Sequence, residues 1–388
     1  METANPKDLG FDPERLARVV DSIDRDVAAG RSHGAAISVG RRGRIALHAA
    51  RGHADRASGR KLALDDVFAT MSVGKQFTNV IVLNRVERGD LRLEMPVAEL
   101  IPEFGRRGKG RMKLWHLLTH TSGILSAIPT LPPEEIASTE RLTAFAAASL
   151  PESLPGDRVT YSVAVAHSVM AEMVRAAEGR KRTFRQILEE DLFRPLGMNE
   201  TSLGARADLS KRLCPVVAAY MEAGLFDPAG MEGVGMLLSM EGGELPAGGY
   251  LTTIGDVGRF CEMLRRRGEL GGKRILSPAM IDFATRNHTG DKPNTLLDYT
   301  LDYRGWDVFP ASIGLGFFVR GEGVIPGPFG NLCSSRAYGG LGAGSTAFWV
   351  DPVHDVWLAF LSTGLMEDSH HMERVSRLSD IVVSAIVD

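Results

Sequence analysis

The chain has 388 residues, 44% hydrophobic and 24% charged, an ordinary globular balance with enough apolar material for a large core in one or two closely packed domains. Its formal net charge of −3 leaves no basic excess to hold a phosphate backbone, which argues against nucleic acid as a partner. Three cysteines, Cys214, Cys261 and Cys333, are odd in number and lack C-x-x-C spacing, so neither a disulfide framework nor a zinc knuckle is expected and a reducing compartment fits.

The opening METANPKDLGFDPERLARVV carries early acids and no apolar run, unlike a secretory signal, and no segment reads as a membrane span. A cytoplasmic protein without a membrane partner is expected. Residues 12–28 then place Leu16, Val19, Val20, Ile23 and Val27 at helical spacing, behind Asp12 as N-cap and Pro13 at the first helical position. GAAISVG and IALHAARG, separated by RRGR, predict an antiparallel hairpin. From 76 to 250 the pattern is mostly helical, with apolar stripes in QFTNVIVLNRVERG, WHLLTH, AVAHSVMAEMVRAAEG and FRQILEEDLF. Between Ile275 and Arg336 few periodic stretches interrupt a text rich in Gly, Pro, Asn and Asp, as in long functional loops. The tail returns to strands in LGFFVR, STAFWVDP and VWLAFLST, the last two joined by VHD, before a closing helix from about His370 to Val387. Strands at both ends with helices between predict an α/β fold of the α+β type. Residues 1–75 and 251–388 would build one domain around an antiparallel sheet, residues 76–250 a mostly helical one, with the site in the cleft between them.

Ser72 and Lys75 stand at the start of a helix whose apolar face runs through Phe77, Val80, Ile81 and Leu83. Positions i and i+3 share one helical face, so the amine can reach the hydroxyl. A hydroxyl becomes a useful nucleophile when a neighbouring base takes its proton, and burial together with the positive end of a helix can keep a lysine neutral enough to be that base. The Ser72 amide would also face a developing oxyanion. Two decoys are set aside by placement. Ser58-Gly59-Arg60-Lys61 repeats S-x-x-K without a helical pattern behind it, and Gly30-Arg31-Ser32-His33-Gly34 repeats G-x-S-x-G but follows a helix and precedes a strand, the reverse of a nucleophile elbow.

Tyr161 follows a Pro155-Gly156 turn and directly precedes an amphipathic helix. Together with RVERGDLRLEMPVAELIPEF (85–104), HLLTHTSG (116–123), LFRPLGM (192–198) and GGYLTTIGDVGRF (248–260), it makes the chain resemble the serine β-lactamase-like superfamily. The likeness is strongest to the family VIII carboxylesterases and related acyltransferases, which share the class C β-lactamase fold. The resemblance implies that Tyr161 relays protons between Ser72, Lys75 and the leaving group, its pKa lowered by the adjacent ammonium. It also implies a strand beside the nucleophile, matched by Tyr338-Gly339-Gly340-Leu341, whose glycines would let substrate lie against it and whose Leu341 amide would be the second oxyanion donor. His288-Thr289-Gly290 mimics the K-T-G form of that strand but sits in a polar loop.

Two departures bear on substrate. Val163 replaces the asparagine of Y-x-N, which would hydrogen-bond a substrate amide, and Tyr338 replaces the cation that would hold a substrate carboxylate. With Tyr338, Gly339, Gly340 and Val163 as its substrate contacts, the expected activity is a carboxylesterase or acyltransferase acting on a small ester. An amidase, peptidase or weak β-lactamase of the same fold is the alternative, and a catalytically silent binding protein the alternative from another class. No cofactor and no metal is expected: His116, His120, His167 and His370-His371 lack metal-ligand spacing to an acidic partner and read as structural or surface residues. A homo-oligomer is left open.

Overall fold

Asp12 opens the first helix. In the computed structural model, which describes residues 1–221, 230–238 and 240–388, its Oδ1 accepts from the Glu14 and Arg15 amides at 2.9 and 3.2 Å. Pro13, with no N–H to leave unpaired, starts α1 (Pro13–Ala28). The hairpin follows: β1 (Gly34–Arg41) and β2 (Arg44–Asp55) pair antiparallel across Arg42 and Gly43, both at positive φ, the conformation whose twist suits a two-residue turn. β3 (Arg60–Lys61) pairs with the end of β2. The elements that position the site come next: α2 (Lys75–Glu87), α3 (Val165–Ala177), α4 (Gly230–Leu238) and α5 (Ile254–Arg265). The chain then lays down β4 (Phe318–Val319), β5 (Tyr338–Gly342), β6 (Thr346–Asp351) and β7 (Val356–Thr363), and closes with α6 (Asp368–Ser384).

The strands form a seven-stranded antiparallel sheet in the order β4-β5-β6-β7-β1-β2-β3. Its centre joins the two ends of the sequence, with Gly34 opposite Thr363 and Arg41 opposite Val356. Because strand side chains alternate, the sheet has two apolar faces. Ile37, Val39, Leu358 and Phe360 face one way and pack with Leu16, Val19 and Ile23 of α1 and Leu378 and Val382 of α6. Ala36, Trp357, Ala359 and Leu361 join a second, larger core with Phe260 of α5 and Val80 and Ile81 of α2. Each such aliphatic side chain contributes about 1.5–3 kcal/mol by leaving water.

Three expectations shift in detail. LGFFVR shrinks to the two residues of β4, because Gly316 turns to φ 85 and its carbonyl accepts from the Gln76 and Asn79 side-chain amides instead of joining a ladder. The closing helix starts at Asp368, since the Glu367 carboxylate accepts from the Ser369 and His370 amides at 3.0 and 3.3 Å and caps it earlier. The stretch read as mostly helical also holds strands at Ser202–Leu203 and Ala218–Tyr220, too short to leave a period-2 signal.

Candidate active site

The chain reaches Ser72 through Phe68–Ala69, which pairs with Tyr250–Thr252, and through a 3-10 turn, Met71–Gly74, that runs into α2. Met71 is buried at φ 47, a left-handed conformation that a side chain resists and that the surrounding packing must hold. Gly74 is required by contact: a Cβ there would lie 2.2 Å from the Tyr250 ring.

Lys75, the first residue of α2, is 1% exposed. Its Nζ lies 3.1 Å from Ser72 Oγ, 2.7 Å from the Val163 carbonyl and 2.8 Å from the Ala247 carbonyl. Burial without a carboxylate partner among the described residues weighs on the ammonium form, and the pKa falls to about 7. Tyr161 approaches from the loop before α3, its amide donating to Asn294 Oδ1 at 3.2 Å. Its ring stacks on His120, with centroids 4.2 Å apart and planes at 22°, and lies 5.0 Å from Lys75 Nζ. The expectation that the ammonium lowers this phenol is corrected. Burial dominates and raises the Tyr161 pKa well above its ordinary value, with Ser72 pulling it down only in part, so at neutral pH the phenol keeps its proton. His120, whose Nδ1 accepts from the Ser162 amide at 3.0 Å, is driven down to about 3 by burial and by Lys75, and it stays neutral.

β5 departs most from its sequence reading. Tyr338 is 2% exposed, turned into the core, and its hydroxyl donates to the Leu264 carbonyl at 3.2 Å; it does not line the cavity beside Ser72. Gly339 and Gly340 do not line it either. The space a Cβ would need at Gly339 is held by the Phe348 carbonyl at 2.0 Å, and at Gly340 by the Gln76 side chain at 2.3 Å. These glycines let β5 close onto β6 and α2, and the room expected for substrate is filled by protein. Leu341, on the face of the strand opposite Tyr338, does reach the cavity. A Cβ at Gly342 would stand 2.7 Å from the Thr70 carbonyl, so only glycine lets the end of β5 run this close to the segment before Ser72, and the next residue, Ala343, borders the same cavities as Ser72.

Ser72 stands where two cavities meet. The larger encloses about 960 Å³ of empty space including its mouth, and is lined by Tyr161, by Leu341 and by residues of the 294–329 loop, among them Phe309, Phe318 and Phe329, together with Asp368. The smaller, about 550 Å³, is almost wholly apolar, with Ile128, Ile136, Leu245 and the α4 residues Val234 and Leu238 in its wall. Ser72, Val163 and Ala343 border both. The structure thus gathers Ser72, Lys75, Tyr161, Val163 and Leu341 at one place. Sequence reasoning missed Ala247, Asn294, Ala343 and Asp368, whose only signal is tertiary. Among the described residues no group of three or more His, Cys, Asp or Glu could hold a metal ion, and no helix is long and apolar enough to cross a membrane.

The profile of the Beta-lactamase family matches residues 19–379. The chain is 24% identical over 380 residues to Esterase/beta-lactamase LipL of Mycobacterium tuberculosis, covering 92% of this chain and 83% of that protein. It is 30% identical over 215 residues to Esterase EstB of Burkholderia gladioli, half of this chain and 54% of that one. A penicillin-binding protein homolog from Caulobacter crescentus has the same fold, with a TM-score of 0.78 at 23% identity, covering 97% of this chain and 99% of that one. So does a family VIII carboxylesterase, with a TM-score of 0.75 at 20% identity over 94% and 97% of the two chains.

Proposed function

The chain belongs to the beta-lactamase family, and from that premise we propose that it is a serine hydrolase working through a Ser72 acyl-enzyme on small esters. One contact set carries this reading. A neutral amine has two N–H bonds and one lone pair. The Val163 and Ala247 carbonyls accept both N–H bonds of Lys75, so the lone pair is left for Ser72 Oγ, 3.1 Å away. Lys75 then takes the hydroxyl proton as Oγ attacks the carbonyl. Tyr161, still protonated at neutral pH, gives its proton to the departing oxygen and regains one from the Lys75 ammonium. Water, or a second alcohol or amine, reverses these steps and frees the acyl group.

The oxyanion would rest on the Ser72 amide and one donor from the end of β5. Leu341 borders only the larger of the two cavities, whereas Ala343 borders both with Ser72 and its N–H makes no hydrogen bond among the described residues. That favours Ala343 for the second donor. The apolar walls of both cavities, and Val163 where an amide-binding asparagine would stand, favour esters over peptides. The cleft between an α/β domain (1–75 and 251–388) and a helical domain (76–250) is the place proposed for this chemistry.

Intact-mass analysis after incubation with a fluorophosphonate and with p-nitrophenyl butyrate is expected to show a covalent adduct on the wild-type chain and none on the Ser72→Ala variant. An adduct that survives Ser72→Ala would defeat the proposal. Rates on p-nitrophenyl butyrate should exceed those on nitrocefin and on a D-amino-acid anilide, and the reverse order would move the substrate class to amides. Tyr161→Phe is expected to lower kcat for ethyl butyrate by about 10²–10³-fold, the usual worth of a positioned acid. The loss should be smaller for p-nitrophenyl butyrate, whose leaving group departs without a proton. Equal losses on the two esters would remove Tyr161 from the role of acid.

A further inference from the structure

Beyond the acylation machinery, the larger cavity holds a charged group that the proposed cycle leaves unused. Asp368, at the start of α6, is 9% exposed and lines the cavity that Ser72 also lines. Its Oδ1 accepts from the Gly344 amide at 3.1 Å, and no other hydrogen bond or ion pair among the described residues reaches the carboxylate. Its charged neighbour is Glu367, of the same sign, and burial pushes the Asp368 pKa up to about 7. A carboxylate taken this far out of water is costly unless a cation or a hydrogen-bond donor joins it.

The rest of the cavity suits a cation. The rings of Tyr161, Phe309, Phe318 and Phe329 line it, and aromatic faces attract ammonium groups. Among the described residues the other charged one in the lining, Arg320, is already engaged: its guanidinium donates to the Gly330, Gly323 and Gly321 carbonyls at 3.0, 2.8 and 3.4 Å. Its charge is directed into the 321–330 loop.

We infer that Asp368 and the surrounding aromatic rings form a subsite for a positively charged nitrogen, so that the preferred substrate is an ester carrying an ammonium group on its acyl or its alcohol side. This rests on the serine-hydrolase reading and names its substrate class. Anionic substrates would meet Asp368 unfavourably.

Isosteric pairs read this directly. On the alcohol side, choline butyrate is compared with 3,3-dimethylbutyl butyrate; on the acyl side, p-nitrophenyl 4-(trimethylammonio)butyrate with p-nitrophenyl 5,5-dimethylhexanoate. In at least one pair the cationic ester is expected to have a kcat/KM about tenfold higher or more, the scale of a desolvated cation on aromatic faces. In Asp368→Asn, which keeps an oxygen for the Gly344 amide, that ratio should collapse toward one. Calorimetric titration of Ser72→Ala with the same alcohol-side pair reads recognition without turnover, and tighter binding of choline butyrate is expected. No preference for the cation in either pair, or a ratio unmoved by Asp368→Asn, overturns the subsite. If the Ser72→Ala titration shows the cation preference while wild-type protein hydrolyses none of these esters, the subsite stands and the hydrolase reading falls.

Discussion

Replacing Lys75 by methionine is expected to lower kcat/KM for p-nitrophenyl butyrate by about 10³–10⁴-fold, as loss of the base beside a serine nucleophile does, while the protein becomes no less stable at pH 7. The first half follows from the contact of Nζ with Ser72 Oγ and from the lack of another free base beside it among the described residues: His120 is bonded through Nδ1 to Ser162, and Tyr161 keeps its proton. The second half follows from linkage. The lysine falls from an ordinary 10.5 to about 7 on folding. Between those values the unfolded chain holds a proton that the native one has released, so native stability rises with pH across that window. At pH 7 the buried amine costs on the order of 4–5 kcal/mol. Methionine removes that cost and leaves the Val163 and Ala247 carbonyls without a donor, at about 1 kcal/mol each. Thermal unfolding should therefore show an unchanged or higher Tm. The wild-type rate on this neutral ester should rise tenfold per pH unit below about 7 and level off above it, as Lys75 loses its proton, and the limb should vanish in the variant. A neutral ester is the right probe because Asp368 titrates in the same range. A variant that kept a hundredth of the activity, with the same pH limb, would place the base elsewhere.

Gly339→Ala is expected to cost about 3 kcal/mol of stability, at the upper end of overpacking penalties. The added methyl would stand 2.0 Å from the Phe348 carbonyl and 2.8 Å from Trp349 Cα, both backbone atoms of β6 that no rotamer change can move. The only relief is to part β5 from β6. That carries the Leu341–Ala343 segment away from Ser72, so kcat/KM should fall about tenfold or more as well. Gly340→Ala is the control: its methyl would meet the end of the Gln76 side chain, which can swing aside, and the cost should stay near 1 kcal/mol. Urea unfolding midpoints measure both. If Gly339→Ala matched Gly340→Ala, the packing account of the glycine run would fail.

Much of the fold was legible because its signals are local. Asp12-Pro13 marks a helix start by capping chemistry, Arg42-Gly43 a hairpin by its φ demands, and Ser72 with Lys75 a shared helical face by spacing alone. What stayed hidden depends on distant partners. That Tyr338 turns inward is decided by the register of β5 against β6 and by the Leu264 carbonyl, and a one-residue slip in that register reverses every side chain. The carbonyls that hold Lys75 leave no mark in sequence, because every residue has one. Asp368 looks like any acid at a helix start, and only the cavity it lines sets it apart. Tyr161 was placed correctly next to its helix, but the direction of its pKa shift needed the burial that no motif reports.

The pairing of β1 with β7 has a bearing on how the protein is made. Gly34 and Thr363, hydrogen-bonded across that seam, are 329 residues apart. At ordinary translation speeds of about 5–20 residues per second, the first hairpin waits on the order of tens of seconds outside the ribosome with the backbone N–H and C=O groups of one edge unpaired. Nascent β1 is therefore a stretch on which a chaperone, or aggregation, would act, and Ser72 emerges long before the strand end that faces it.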